Sequence, residues 1–205
     1  MARAMEKANP LQPTREKRRL VLARHFIGVV APLLEAGEQY SDLSVERLIT
    51  AVGVSRSTFY SYFSDKAALL AAMAEDVTID LTEAGAPWFE LGVPDSQKAV
   101  RDALRPLFVT YREHRQILRS ITDAASYDPG IRELHSALVA RATAGLTAHL
   151  RALDRGDLDA DRTGQWLVWM LERGLYHLVA DASADESERQ LEAVANLMWS
   201  ALYAE

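Results

Sequence analysis

The sequence predicts an all-α protein, and three observations carry that prediction. Apolar residues recur at three- and four-residue spacing along most of the chain, and no strand-like alternation persists anywhere. Capping residues punctuate the pattern, with Ser or Asp ahead of several apolar runs and Gly or Pro behind them. The runs are also rich in alanine, the strongest helix former. With 205 residues, 49% hydrophobic, the chain suffices for one globular unit or a small domain fused to a larger one.

In chain order, residues 1–13 hold Pro10 and Pro13 nearby, and read as a flexible N-terminal arm. From Thr14 a helical pattern with Leu20, Phe26, Ile27, Val30 and Leu34 runs to Gly37. Pro32 falls inside it and removes one internal hydrogen bond, so a kink or an end near Val30 is expected. Ser44 is placed to cap a short helix from Val45 to about Ala51, with Leu43 and Leu48 as a hydrophobic staple. Ser55 repeats the device for a helix from Arg56 to Phe63, with Val54 and Phe59 as its staple. Gly53 between them supplies the positive φ of a tight turn, and the two helices form a helix-turn-helix.

In the second of these helices Phe59 and Phe63 share the buried face, which leaves Arg56, Ser57, Tyr60, Ser61 and Tyr62 largely outward. Arg can bond guanine in a bidentate manner, hydroxyls donate or accept, and Tyr hydroxyls reach phosphate oxygens, so this face suits a DNA groove. Ser64 is expected to cap a third helix whose first turn carries Lys66, a cation placed for phosphate. Candidate DNA-binding residues are therefore Ser44, Ser55, Arg56, Ser57, Thr58, Tyr60, Ser61, Tyr62 and Lys66. Glu46, outward in the first turn of its helix, would repel a phosphate.

This stretch resembles the TetR/AcrR family of transcriptional regulators, whose signature reads apolar-Gly-Val-Ser, Thr-apolar-Tyr, Tyr-Phe and Ser-x-Lys-x-x-Leu. Here it is Val52-Gly53-Val54-Ser55, Thr58-Phe59-Tyr60, Tyr62-Phe63 and Ser64-Asp65-Lys66 with Leu69. Ile49 and Val52 depart from it, standing where the family usually has alanines. The resemblance covers about the first third of the chain. It implies a dimeric, ligand-responsive DNA-binding protein that pairs through its last two long helices.

Charge agrees once divided along the chain. The net charge is −6, yet residues 1–24 hold seven Lys or Arg against two Glu. Residues 1–75 together stand at +2, which leaves −8 for the remainder. The basic side chains Arg15, Lys17, Arg18 and Arg19 thus lie where DNA would be.

The helix from Lys66 continues through Leu69, Leu70, Met73, Val77 and Leu81 to about Gly85, and Ala86 to Asp95 reads as a loop. Four or five further helices are expected in outline. One starts at Asp95 or Ser96 and is interrupted by Pro106; a short one carries Ile117, Leu118 and Ile121; Asp128-Pro129 opens one that runs to about Asp154. Asp161 to Ala180 and Glu186 to Tyr203 complete the set, with Asp185 and Glu188 as a capping pair. The expected organisation is an arm (1–13), a three-helix helix-turn-helix domain (14–66), and a helical ligand-binding and dimerisation domain (67–205) entered through a linking helix over 65–85.

The penultimate helix is apolar on two sides, one with Trp166, Met170, Arg173 and His177 and one with Leu167, Leu171, Leu175 and Leu178. It needs two partners, its own domain and a second subunit, which suits a palindromic double-stranded operator. The segment Trp166 to Glu205, with Glu172-Arg173, also resembles the end of the mycobacterial ethionamide-resistance branch of that family, which implies a narrow, mostly apolar tunnel. Val168 and Leu171 stand where that branch places two pocket asparagines. A pocket here would take its lining from Leu104, Leu107, Phe108, Tyr111, Ile121, Trp166, Met170 and Trp199, and its effector would be small and apolar.

The chain lacks cysteine, which excludes disulfides and thiolate metal sites and agrees with a reducing cytoplasm. No apolar run reaches the roughly 18 residues of a membrane span, and the charged N-terminus lacks a signal-peptide core, so a cytoplasmic protein without a membrane partner is expected. His25, His114, His135, His149 and His177 form no metal-ligand spacing, and neither a phosphate loop nor a nucleophile elbow occurs. No catalytic residue, metal or cofactor is expected. The rival readings are an architectural or partner-binding helical protein without sequence-specific DNA binding and, further off, an all-α enzyme.

Overall fold

The computed structural model describes residues 14–153, 156 and 158–203, so the expected arm, residues 1–13, lies outside the described residues. These residues fold as α1 (Arg15–Glu35), a 3-10 turn (Tyr40–Asp42), α2 (Val45–Val52), α3 (Arg56–Tyr62), α4 (Lys66–Glu90), α5 (Gln97–Glu113), α6 (Arg115–Ala125), α7 (Pro129–Ala152), α8 (Ala160–Gly174), a π-helical turn (Leu175–Val179) and α9 (Ala184–Leu202). No strand occurs among the described residues, and none of their helices is long and apolar enough to cross a membrane. The chain forms two compact units, Met1–Asp76 and Val77–Glu205, and the division falls within α4.

In the first unit Ser44 and Ser55 cap α2 and α3 as expected, and Thr14 caps α1. Thr14, Ser44 and Ser55 accept hydrogen bonds from the backbone N–H groups of Lys17, Arg47 and Thr58. Gly53 takes φ 75°, the left-handed conformation that closes α2 and lets α3 begin shortly after. Both staple residues of α2, Leu43 and Leu48, are buried. The cap of α4 differs from expectation. Asp65, not Ser64, accepts from Ala68 N at 2.8 Å, while the Ser64 hydroxyl turns to the Asp65 carboxylate at 3.3 Å. A carboxylate at this helix start accepts more strongly than a hydroxyl and meets the positive end of the dipole.

The prolines interrupt less than expected. α1 runs through Pro32 to Glu35, α4 through Gly85 and Pro87 to Glu90 rather than ending near Gly85, and α5 through Pro106 to Glu113. A proline inside a helix costs about 3 kcal/mol, and burying one large apolar side chain recovers about 1.5–3 kcal/mol. Each of these prolines is flanked by such side chains: Val30 and Leu34 around Pro32, Leu104 and Phe108 around Pro106, and Trp88 just after Pro87.

The second unit is built on two helix pairings, α5 with α9 and α7 with α8, joined through one core of Leu104, Phe108, Tyr111, Leu146, Leu150, Leu191, Met198 and their neighbours. Arg101 and Arg105 on α5 reach Glu192 and Glu188 on α9, at 3.0 Å and 2.6 Å. Glu188 is therefore no partner of Asp185. The cap of α9 is Ser183, which accepts from Glu186 N. Trp88 Nε1 donates to the Tyr203 hydroxyl at 3.2 Å, and His149 Nε2 lies 3.3 Å from that hydroxyl. Burial pushes the His149 pKa down, although a hydrogen bond to the Phe89 backbone opposes the shift.

α8 ends earlier than expected and passes into the π-helical turn, marked by Ala180 N donating to Leu175 O at 2.9 Å. The wider turn carries the inward position from Leu175 to Val179 and leaves Leu178 exposed, so it does not share the buried side of Leu167 and Leu175. At Gly164 the two helices α7 and α8 come so close that an added Cβ would lie 2.6 Å from Thr147 Oγ1. Gly164→Ala should therefore destabilise the protein by about 1–3 kcal/mol through overpacking. Thr147→Ala in the same chain should restore most of that loss in denaturant unfolding, and additive losses would show that the strain lies elsewhere.

Candidate nucleic-acid interface

Three aromatic rings hold α3 in place. Phe26 of α1 meets Phe59 and Phe63 edge-on, each with ring centroids 6.0 Å apart, and Phe59 and Phe63 lie 5.5 Å apart. With these rings inward, helical geometry turns Arg56, Ser57, Tyr60 and Ser61 outward, and all four are exposed together with Ser44, Ser55 and Thr58. Tyr62 and Lys66 are half-buried. At the end of α3 the Arg15 guanidinium donates to the Ser61 carbonyl at 2.7 Å, a cation on the negative end of the helix.

The hydroxyls at the start of α3 form one cluster. Ser55 Oγ lies 2.9 Å from Ser57 Oγ and 2.8 Å from Thr58 Oγ1, and Ser61 Oγ donates to the Ser57 carbonyl at 2.7 Å. Of the polar side chains on this face, Arg56 has the longest reach. Its guanidinium stands 5.5 Å from the Tyr60 ring centroid, and Nη1 donates to Glu46 Oε1 of α2 at 2.6 Å. Glu46 is thus a partner of Arg56, where the sequence suggested only a repulsive charge. Arg47 is held likewise by Glu38, at 2.9 Å. Arg19 pairs with Glu16 and Glu75, and Arg24 with the buried Asp76 at 2.8 Å. Several cations of this unit are therefore already matched by carboxylates.

Lys66 differs from expectation too. Its ammonium faces the backbone carbonyls of Tyr40, Ser41 and Leu43 rather than open solvent. Sequence reasoning overlooked Tyr40, and it missed that Arg15 reaches the Ser61 carbonyl and Glu46 the Arg56 guanidinium, because each partner is distant in the chain.

The eight candidate pocket residues separate into two groups. Leu104, Phe108, Tyr111 and Ile121 are buried, and Leu107 and Trp199 pack against the core of the second unit. Trp166 is 78% exposed and Met170 38%, and both stand on the outer side of α8 with Trp169. The reason is the close approach at Gly164, which sets Leu167 and Val168 as the inward residues of α8.

The sequence pattern described as "Bacterial regulatory proteins, tetR family" matches residues 36–73, the segment that contains α2, α3 and the start of α4. The chain is 28% identical to the HTH-type transcriptional regulator EthR of Mycolicibacterium smegmatis, over 82% of this chain and 79% of that protein. Against EthR of Mycobacterium tuberculosis the identity is 27%, over 80% of each. Among solved structures, the TetR family regulator PfmR of Thermus thermophilus superposes with a TM-score of 0.65 at 22% identity, covering 84% of this chain and 96% of that one. A TetR-family regulator from Pectobacterium atrosepticum gives 0.67 at 18% identity, covering 93% and 96%. These likenesses extend well beyond the helix-turn-helix, and they join its signature in one conclusion: residues 36–73 carry a DNA-binding segment of the tetR type, and the chain is similar over about four fifths of its length to TetR-family transcriptional regulators.

Proposed function

We propose that this chain is a repressor that occupies a palindromic operator as a homodimer and leaves it when a small, largely apolar effector binds the second unit. The observation that carries the DNA reading is the outward face of α3, where Arg56, Ser57, Thr58 and Tyr60 stand exposed on a helix fixed by three buried rings. Arg56 reads a base edge, Tyr60 and Tyr62 meet phosphates, and the hydroxyls of Ser44, Ser55, Ser57, Thr58 and Ser61 serve the flanking backbone and bases. Repression needs only occupancy of a promoter.

Dimerisation is supported by the apolar surface left uncovered on the last two helices. Trp166, Trp169, Met170 and Leu178 are exposed on α8 and its π-helical turn, and Leu197 is 59% exposed on α9, in line with Ala193 and Ala201. Two-fold pairing through this surface suits the two-fold symmetry of a palindromic operator, whose half-sites lie about 34 Å apart. The effector reading rests on the apolar interior around Leu104, Leu107, Phe108 and Tyr111. α4 runs through both units, from Lys66 to Trp88 and beyond, and gives the effector a covalent route to the DNA-reading helices.

A gel shift on DNA flanking the protein's own gene, with and without excess random DNA, tests the central reading; binding abolished by random DNA would exclude sequence specificity. Arg56→Ala should lose about 1–3 kcal/mol on the cognate site and little on random DNA. Glu46→Gln should do the reverse, freeing Arg56 and raising affinity for random DNA, and unchanged random binding would show that the carboxylate does not attenuate the arginine. Trp166→Glu should shift sedimentation from dimer to monomer while the circular dichroism of the fold persists; a dimer that survives would move the interface away from α8. Calorimetric titration of effector into free protein and into the operator complex should give affinities that differ by the factor through which effector weakens DNA, about 1.4 kcal/mol for each tenfold. Equal affinities would mean that the effector is no switch.

A further inference from the structure

We propose that the Glu172 carboxylate is the polar anchor of the effector site, and that the effector is an apolar molecule carrying one protonated amine. The inference deepens the effector reading of the second unit and rests on it. Glu172 interrupts an apolar side of α8, since Val168 four residues before it and Leu175 three residues after it are both buried. Its side chain is 20% exposed, and Oε2 is buried without a hydrogen-bond partner. Arg173 Nε lies 3.0 Å from that oxygen but aims no N–H at it. His135 Nε2 of α7 stands 3.5 Å from Oε1, at the outer limit of hydrogen bonding. Arg112 Nε of α5 is buried and unpartnered too, but its guanidinium is tied to the Ala182 carbonyl at 2.9 Å.

A carboxylate withdrawn from water among apolar side chains is costly unless a cation and hydrogen bonds replace its hydration. The chain's own cations do this poorly here. Arg173 is 46% exposed, and its guanidinium also stands 6.0 Å from the Tyr176 ring centroid. An ammonium carries a full charge and several N–H donors on one small group, so it fits an oxygen that lacks a donor. An anion would be repelled, and an alcohol would offer one donor without charge. Tyr111 of α5 lies near the same carboxylate, for burial and then the Glu172 charge push its pKa upward. Leu107 and Phe108, one turn earlier on α5, supply apolar surface for the rest of the molecule. Glu172 and His135 each keep 20% of their side-chain surface exposed, so the carboxylate is reached along the seam of α7 and α8. The π-helical turn begins three residues further on, and such turns recur at functional sites.

The test uses the full chain and three probes of one chain length, octylamine, 1-octanol and octanoate, titrated calorimetrically at neutral pH. Octylamine should bind about tenfold more tightly than 1-octanol, the margin of a charge-assisted over a neutral hydrogen bond, and octanoate should bind weakest. Glu172→Gln keeps the shape and removes the charge, so it should bring octylamine down to the affinity of 1-octanol and leave 1-octanol unchanged. Asp185→Asn, which removes an exposed charge elsewhere, should leave the amine preference intact. Because Glu172 Oε2 lacks an aligned donor, Glu172→Gln should melt no lower than the wild type. A lower midpoint would mark a carboxylate that His135 and Arg173 hold for the fold, and would overturn the proposal. Equal affinities of octylamine and 1-octanol for the wild type, or no binding of octylamine, would overturn it without any variant. An amine preference that survives Glu172→Gln, or is lost in Asp185→Asn, would do the same. Gel shifts with octylamine then separate the site from the switch. Operator DNA released from the wild type and not from Glu172→Gln supports both, whereas binding without release leaves the amine site standing and overturns the effector reading alone.

Discussion

The packing of Phe26 against Phe59 and Phe63 is the constraint on which the DNA-reading surface depends. α3 has seven residues, too few to persist as an isolated helix in water. It is helical because two of those aromatic groups, Phe59 within it and Phe63 at its end, are buried on α1. Once they are inward, the 100° step of the helix settles which side chains face out, and no separate force is needed to present Arg56 or Tyr60. The caps at Ser44 and Ser55 and the left-handed Gly53 then set where each helix begins and ends.

The second unit obeys a different logic. Its core is held by pairing of long helices, with ion pairs such as Arg105 to Glu188 along the α5–α9 seam and a close backbone approach at Gly164. At the end of α4, Trp88, Tyr203 and His149 form a chain of polar contacts inside an otherwise apolar neighbourhood. Such a chain fixes the Trp88 ring more tightly than dispersion alone, since a misplaced ring would strand buried polar atoms.

Much of this was legible in the sequence, and the pattern of errors is physical. Cap residues act within three positions along the chain, so Ser44, Ser55, Asp128 and Gly53 could be read directly. The Phe59 and Phe63 face follows from helical periodicity. What escaped were interactions between residues far apart in sequence. Glu46 reaches Arg56 across a turn, Arg15 reaches Ser61 from another helix, and Lys66 turns back to Tyr40. Prolines were over-read, because the burial that stabilises their helices is tertiary. The outward placement of Trp166 and Met170 could not be told from an inward one, since α8 is apolar on both sides and only the contact at Gly164 decides.

Carboxylates beside Arg56 and Arg47 also bear on how quickly such a protein finds its site. A regulator spends most of its search on the wrong sequence, and the time lost there grows with the strength of contacts that any phosphate can make. An arginine already satisfied by its own carboxylate has little reason to linger on a passing phosphate, and exchanges partners only where a base edge offers a better-fitting pair of acceptors. Residence on bulk chromosome would thereby be shortened without weakening the final complex in proportion. The two acidic residues, out of place at first sight on a surface meant for DNA, would act as a brake on trapping and so set the pace of the search.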